Sequence, residues 1–295
     1  MSDRSEIKLH PHNYRLNYSL EKVQSQVSNA FGSQFYTPYS GSLNLQPGIG
    51  NASEIRISDL FEDKHIIAGF NIPANLNNSL MGLAYFNLTG KIDKMWSLQR
   101  QGTLSFDNEN YALIETASHF AKYRLTLPFD EVRSIRASIG LRLDRHVPQG
   151  TEMFTLTLPT TWTEQAGFEV AWVYDDTRVV SLNIREGTRA KVWTEYYLDS
   201  KGTTFGTFGF DARKYIGLFS NSILAFRIAG DWSLGENKLL HLLGGTDNGI
   251  MGFSNYNTPI DPEQSYAYQA RITPMRGFSS NARNGSNALV ANAEI

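Results

Sequence analysis

The sequence predicts an all-β protein, an antiparallel transmembrane β-barrel with about 11–12 strands in this chain. Three observations predict it. Apolar and polar residues alternate along many long runs, turn-forming residues separate those runs, and no stretch is apolar enough for a membrane-spanning helix. The mean hydropathy of -0.33 and the 24 glycines among 295 residues suit many strands joined by polar turns.

The alternation is clearest between residues 223 and 234. One face of that run carries Leu224, Phe226, Ile228, Trp232 and Leu234, and the other carries Ala225, Arg227, Ala229, Asp231 and Ser233. The runs Lys122–Leu127, Ile135–Asp144 and Arg189–Leu198 follow the same pattern. Successive side chains on a strand point to opposite faces, so each run is predicted to be a strand with one apolar and one polar face.

Turn-forming residues define the connections. Ala74–Asn78 is predicted to close a hairpin, Pro128–Glu131 joins two alternating runs, and Tyr174–Thr177 connects the predicted strands Gly167–Tyr174 and Arg178–Ile184. Ser19–Asn29 is the one segment whose pattern fits a helix or a strand.

Strand length favours a membrane barrel over a soluble sheet. The runs Ile92–Asp107 and Asn110–Leu127 exceed the about 5–6 residues usual in soluble proteins and reach the about 9–11 that a transmembrane strand needs. A bilayer offers no water to unpaired backbone groups, so a chain without an apolar helix must cross it as a closed sheet. We therefore expect the apolar faces to point outward. A soluble sandwich or barrel with those faces inward is the alternative that alternation leaves open.

Composition excludes several classes of site. The formal net charge is -2 with no basic run, so a nucleic-acid partner is not expected. There is no cysteine for thiolate metal sites or disulfides. The close pair His10 and His12 is interpreted as part of a polar arm, and no catalytic constellation, metal site or cofactor site is predicted.

The C-terminal fifty residues carry the most specific motif. Gly244-Gly245 ends an apolar run, a long polar segment follows, and then come Met275-Arg276-Gly277-Phe278 and an Asn-rich run that reaches Glu294. This arrangement resembles the Omp85 (bacterial surface antigen, D15, BamA-like) family of outer-membrane barrels. Leu127–Arg133 and Phe210–Tyr215 match more loosely, the latter resembling a subgroup that carries a TolB-like propeller upstream of its barrel.

The resemblance implies a site. In that family the long loop folds back into the barrel lumen, and its arginine pairs with acids on the inner wall. When the family motif is matched to this sequence, the loop arginine corresponds to Arg276 and the acid on the following strand to Glu294. A guanidinium in a partly enclosed lumen needs a carboxylate partner, which it can bind through two parallel hydrogen bonds. The alternative is an ordinary Arg-Gly pair in a surface loop.

The resemblance also implies partial coverage of a 16-stranded barrel. We expect residues 1–13 to be an N-terminal arm or linker and residues 14–295 to be the barrel domain without its closing C-terminal strands. The first residues do not read as a signal peptide, which is expected to belong to a longer precursor. The implied location is the outer membrane of a Gram-negative bacterium. The implied partners are outer-membrane lipids, unfolded outer-membrane proteins and periplasmic accessory proteins.

Three functions follow as hypotheses. The first is a non-enzymatic barrel that inserts or translocates proteins, or lipids, during outer-membrane assembly. The second is a structural anchor or passive pore that carries a TolB-like propeller. The third is a soluble β-rich binding protein or enzyme.

Overall fold

The computed structural model of the chain describes residues 15–28, 36–39, 41, 43, 50–73, 79–108, 111–150, 153–181, 184–219, 222–245, 255–273, 275 and 277–295. The predicted arm at residues 1–13 and the predicted hairpin turn Ala74–Asn78 lie outside these residues. The division into an arm and a barrel domain therefore stays a prediction.

The described chain is built almost entirely of strands. They are β1 Tyr18–Ser28, β2 Thr37–Pro38, β3 Gly50–Asp59, β4 Lys64–Pro73, β5 Leu80–Asn87, β6 Asp93–Asp107, β7 Ala112–Pro128, β8 Arg133–Pro148, β9 Thr161–Asp175, β10 Arg178–Ser181, β11 Ile184–Asp199, β12 Thr204–Phe219, β13 Ser222–Leu234, β14 Lys238–Leu243, β15 Tyr266–Thr273, β16 Arg283–Gly285 and β17 Asn287–Glu294. One short 3-10 helix covers Thr155–Thr157. No helix in the described ranges has the length and apolar character that crossing a membrane requires.

Twelve strands form one continuous antiparallel wall in the order β1-β3-β4-β5-β6-β7-β8-β9-β11-β12-β13-β17. Each strand of the wall pairs with the strand before and after it along the chain, apart from the short strands set aside from this path. This agrees with the predicted all-β, antiparallel fold and with the predicted number of strands. The ambiguous segment Ser19–Asn29 forms most of β1, which pairs with β3.

One predicted strand differs from the structure. Arg178–Ile184 was predicted as the partner of Gly167–Tyr174, but the wall partner of β9 is β11. The shorter β10 pairs only with the start of β11. Val179 and Val180 in β10 are exposed. The turn residues Tyr174–Thr177 therefore indicated a strand there, but they did not reveal that this strand extends a hairpin beyond the wall.

The two ends of the wall differ. At one end, which we call the turn end, residues 60–63, 88–92 and 129–132 make short connections, and the connection between β9 and β11 contains β10. At the other, the loop end, residues 200–203 make a short connection, but residues 29–49, 149–160 and 235–286 make the longest connections of the wall. Outer-membrane barrels have short periplasmic turns and longer extracellular loops, so this asymmetry matches their design.

The wall is inverted relative to a soluble protein. Phe226 is 43% exposed and Ile228 is 45% exposed, whereas Asp231, on the opposite face of the same strand, is 5% exposed. In β8, Ile135, Ile139 and Leu141 are exposed on one face while Ser138, Arg142 and Asp144 are buried on the other. The expected direction of the apolar faces is confirmed, and the alternative of an inward apolar face is wrong for these strands.

A second sheet lies against the inner face of the wall. We call it the inner sheet, and its strand order is β16-β14-β15-β2, with β14 and β15 parallel. It holds Leu239 and Leu240, the largest fully buried apolar side chains of the described residues. One core cluster lies between the inner sheet and the wall and contains Phe205, Leu239 and Tyr268. A second cluster, Leu240, Leu242 and Tyr266, packs against Tyr39, Leu43 and Ile260 of the connecting segments.

Candidate functional site

The inner sheet is anchored to the wall through Tyr268 of β15. The Tyr268 hydroxyl donates a hydrogen bond to Oδ2 of Asp144 on β8, at 2.9 Å. It accepts one from Nε2 of Gln165 on β9, at 2.6 Å. Tyr268 is 4% exposed and both wall partners are buried. A buried polar group without a partner costs about 1–3 kcal/mol, so these hydrogen bonds hold the inner sheet in one position.

Arg142 completes this contact, which we call the Tyr268 anchor. Its Nε lies 2.9 Å from both carboxylate oxygens of Asp144, and the two side chains are 2% and 0% exposed. The Arg142 guanidinium also lies over two aromatic rings, 4.1 Å from the centre of Tyr268 and 4.7 Å from that of Phe120. A guanidinium between two ring faces is stabilised by their negative electrostatic potential. The connection at residues 235–286, which we call the loop insertion, therefore supplies Tyr268, one of the two rings that enclose a wall arginine.

An aromatic cluster extends the anchor toward β11 and β12. Phe205 of β12 stacks on Tyr197 at a centroid distance of 4.9 Å and contacts Tyr268 at 4.8 Å. Tyr36, from the connection between β1 and β3, meets Phe205 edge-on and donates a hydrogen bond to Glu195 of β11. Two separate loop-end connections thus converge on the same patch of the inner wall, which restricts access to the lumen from that side.

Charged side chains line the lumen toward the turn end. Glu169 accepts from Lys122 at 3.1 Å and from Arg124 at 3.3 Å, with Lys191 at 3.7 Å. Nearby, Asp211 pairs with Arg213 at 2.8 Å and with Arg227 at 2.6 Å. A polar interior of this kind is typical of outer-membrane barrels. Among the described residues, no group of three His, Asp or Glu side chains is placed to hold a metal ion.

The glycine pair of the predicted motif closes the inner sheet. Gly244 and Gly245 have φ angles of 109° and 79°, which favour glycine. A β-carbon on Gly244 would collide with the carbonyl oxygen of Ser279. The Gly245 amide donates to the Phe278 carbonyl at 3.0 Å, and Gly245 also bridges to Met275. The structure therefore brings the two halves of the motif together.

The two halves of the motif meet because β14 and β15 pair in parallel. Gly244-Gly245 follows β14 and Met275–Phe278 follows β15, so both leave the inner sheet at the same edge. Gly277 has a φ of 85° and makes the turn. Phe278 is 56% exposed.

The predicted pair of Arg276 and Glu294 remains a prediction, because Arg276 lies outside the described residues. Glu294 pairs in register with Ala225 near the turn end of β17. By alternation it lies on the same face of β17 as the buried residues Ala288 and Val290, which is the lumen face. The register is therefore compatible with an interaction between Glu294 and a loop that enters the lumen.

The sequence pattern missed the residues of the Tyr268 anchor. Arg142 and Asp144 occur on the polar face of a predicted strand, two residues apart, so an inward pair was recoverable from the alternation. Tyr268 gave no signal, because nothing local distinguishes a loop tyrosine that contacts the wall from one exposed to solvent.

His241 gives the inner sheet a dependence on pH. It is 1% exposed in β14, and neither ring nitrogen has a hydrogen-bond partner within the described part of the chain. Burial lowers the pKa of His241 to about 3. A detached, solvated histidine titrates near pH 6.5, so below that pH the detached state binds more protons and the docked state loses stability.

We expect the free energy of docking of the inner sheet to fall by about 2 kcal/mol between pH 6.5 and pH 5, at about 1.4 kcal/mol per pH unit. Amide hydrogen exchange in β14 and β15 measures it as lost protection. The variant His241→Leu should flatten this dependence over the same range. An equal loss of protection in that variant would assign the effect to other groups.

Comparison with known proteins supports the fold. No family model and no curated protein sequence matches this chain. The crystal structure of BamA from Haemophilus ducreyi lacking POTRA domains 1–3 is similar, with a TM-score of 0.52 and 11% sequence identity. The match covers 83% of this chain and 45% of that one, so this chain spans less than half the length of the BamA chain it resembles. At this identity the likeness shows a shared barrel fold.

Proposed function

We propose that this chain is the membrane-spanning wall of an Omp85-type outer-membrane barrel that takes part in inserting or translocating proteins during outer-membrane assembly. The observation that carries the proposal is a wall with an apolar outer face whose inner face holds a docked loop insertion, with Gly245 beside Met275 and Phe278 at the edge of that insertion. The chemistry is non-covalent, and outer-membrane lipids and unfolded outer-membrane proteins are the proposed partners.

The height of the wall supports this role. The strands β6 to β9, β11 and β12 have 15 to 17 residues, whereas β5, the fourth strand of the path, has 8. At about 3.3 Å per residue and a tilt of about 40°, an 8-residue strand rises roughly 20 Å, less than the about 25 Å apolar band of such barrels. The short strand β5 would thin the adjoining bilayer and lower the barrier to inserting a new strand.

In this proposal the loop insertion keeps the wall in its working conformation. The Tyr268 anchor holds the insertion at β8 and β9, and the predicted pair of Arg276 and Glu294 would hold it at β17. A loop fixed at both sides of the lumen couples strands that are far apart in the wall. The seam between the first and last strands of the complete barrel is then the place where substrate strands enter.

Arg276→Ala tests this arrangement. We expect it to impair assembly of other outer-membrane barrels when it replaces the wild-type protein in depleted cells, with a loss of stability above the about 0–1 kcal/mol typical of an exposed ion pair. Arg283→Ala, an exposed arginine of the same insertion, is the matched control and should behave as wild type. The heat-modifiable gel shift of the other barrels measures assembly. Wild-type assembly with Arg276→Ala would remove the second anchoring point.

The second candidate, an anchor or passive pore with a TolB-like propeller, predicts different results. A passive pore should conduct steadily in planar bilayers, and its depletion should leave other barrels correctly folded. A lumen occupied by a docked sheet favours low or intermittent conductance. Steady conductance together with normal barrel assembly after depletion would support the pore and contradict the proposed function.

A further inference from the structure

The outer wall between β4 and β8 carries an apolar concavity of about 860 Å³. Outward-facing residues that line it are Phe70, Met81, Leu83, Leu98, Ala121 and Leu141. Leu98, Ala121 and Leu141 are direct neighbours across β6, β7 and β8. The small Ala121 side chain between two exposed leucines leaves a trough on the lipid-facing surface.

Two polar side chains border this trough. Arg100 and His119 pair directly across β6 and β7, and each lies two residues from a trough residue, Leu98 or Ala121. By alternation both side chains therefore leave the wall on its outer face. Arg100 Nη1 lies 3.2 Å from the Ser79 hydroxyl, and Arg100 forms no ion pair with any residue that the structure describes.

The acid in the same register row lies further along the wall. Arg100, His119, Leu143 and Glu164 follow one another across β6, β7, β8 and β9. Glu164 is thus three strands from Arg100, or about 14 Å at about 4.8 Å per strand. It does not neutralise the guanidinium directly.

Arg100 lies at the margin of the apolar band and not at its centre. On the outer face of β8 the side chains are apolar from Ile135 to Leu143, and the next one toward the loop end is the exposed Arg145. Leu143 is in register with His119 and therefore with Arg100, so Arg100 is level with the loop-end limit of the apolar residues of β8. An arginine on the lipid face costs about 2–4 kcal/mol at the bilayer midplane but only about 0–1 near the interface. Its depth therefore corresponds to the headgroups of the leaflet at the loop end.

We propose that this surface binds a lipid with an unshielded headgroup phosphate, in the leaflet at the loop end of the wall. The guanidinium of Arg100 binds the phosphate with two hydrogen bonds, His119 contacts the same headgroup, and an acyl chain fills the trough. A lipid is favoured over free phosphate because the surface beneath Arg100 is apolar. This inference rests on the proposed membrane barrel and names one of its lipid partners.

The test uses the full chain in phosphatidylcholine nanodiscs that contain a minor fraction of diphosphorylated lipid A. After mild detergent extraction, native mass spectrometry counts the lipid A that stays bound. We expect Arg100→Gln to reduce its apparent affinity about tenfold, and Arg100→Lys to keep part of the binding. Lys94→Gln, an exposed cation on the same face of β6 near the turn end, should bind as wild type. Ala121→Trp should weaken binding by filling the trough.

Each outcome decides between named alternatives. Equal retention of lipid A by wild type and Arg100→Gln overturns the site while leaving the membrane barrel intact. An equal loss in Lys94→Gln reduces the effect to general charge attraction and also overturns it. Release of lipid A by inorganic phosphate alone would mean that the trough contributes nothing. A chain that never enters the nanodisc contradicts the proposed function itself. The heat-modifiable gel shift confirms that each variant is folded.

Discussion

Arg142→Ala is expected to lower the free energy of unfolding by about 3–5 kcal/mol, the cost of leaving one member of a buried ion pair without its partner. Asp144 has no exposed surface and, among the residues that the structure describes, would keep only the hydrogen bond from Tyr268. The substitution also removes the cation between the rings of Phe120 and Tyr268. No other single arginine in the described wall combines an ion pair, two ring contacts and this degree of burial.

The matched control is Arg189→Ala. Arg189 lies on a neighbouring part of the wall and pairs with Asp175 at 3.4 Å, but the two side chains are 50% and 39% exposed. Its loss should cost about 0–1 kcal/mol. Urea unfolding in lipid vesicles, followed by tryptophan fluorescence, measures both variants under the same conditions.

The strands in which Arg142→Ala raises hydrogen exchange are as informative as the total loss of stability. Because Arg142 contacts Tyr268, Arg142→Ala should raise hydrogen exchange in β15 before it affects β11 or β12. Similar stabilities for Arg142→Ala and Arg189→Ala would show that the buried pair does not hold the insertion. A global loss of stability with unchanged protection of β15 would make the pair a wall contact alone.

Ile139→Arg has the second largest expected effect. Ile139 lies near the middle of β8 and is 65% exposed on the outer face. A guanidinium there would enter the hydrocarbon near its midplane, at a cost of about 2–4 kcal/mol. We expect the free energy of folding into a bilayer to become less favourable by that amount. The heat-modifiable gel shift and unfolding in vesicles measure it.

Gly140→Arg, one residue along, provides the control for the facing of the strand. Position 140 faces the lumen, and a β-carbon there meets only ordinary contacts with Ala121 and Lys122. The added side chain reaches a polar interior that already holds Glu169. We expect a smaller effect, below about 1 kcal/mol, which is typical of tolerated surface changes. Equal damage from both variants would contradict the assignment of the two faces, and so would greater damage from Gly140→Arg.

Much of the wall was predictable because strand faces are a local property. In β8 and β13 the two-residue period alone placed Ile139 and Phe226 on the face opposite to Asp144 and Asp231. The number of strands followed from the turn residues between runs. The glycine pair was singled out by its resemblance to the family motif, and the structure gives the physical reason for it, since both glycines have a positive φ.

Contacts between residues far apart in the chain could not be predicted from local sequence patterns. Tyr268 and Asp144 are 124 residues apart, and no local pattern records that they meet. The parallel pairing of β14 with β15 was likewise hidden, because it depends on the whole insertion turning back against the wall. The short strand β10 follows a turn as the wall strands do, but it extends a hairpin outside the wall.

The amino-acid sequence by itself determined which side of each wall strand is apolar, because that depends only on residue type and the two-residue period of an extended chain. Only the tertiary structure decided that the apolar sides face outward and that the long connection before β17 docks inside. Those outcomes depend on which strands pair and on which buried polar groups find partners, and both conditions join residues distant in the chain.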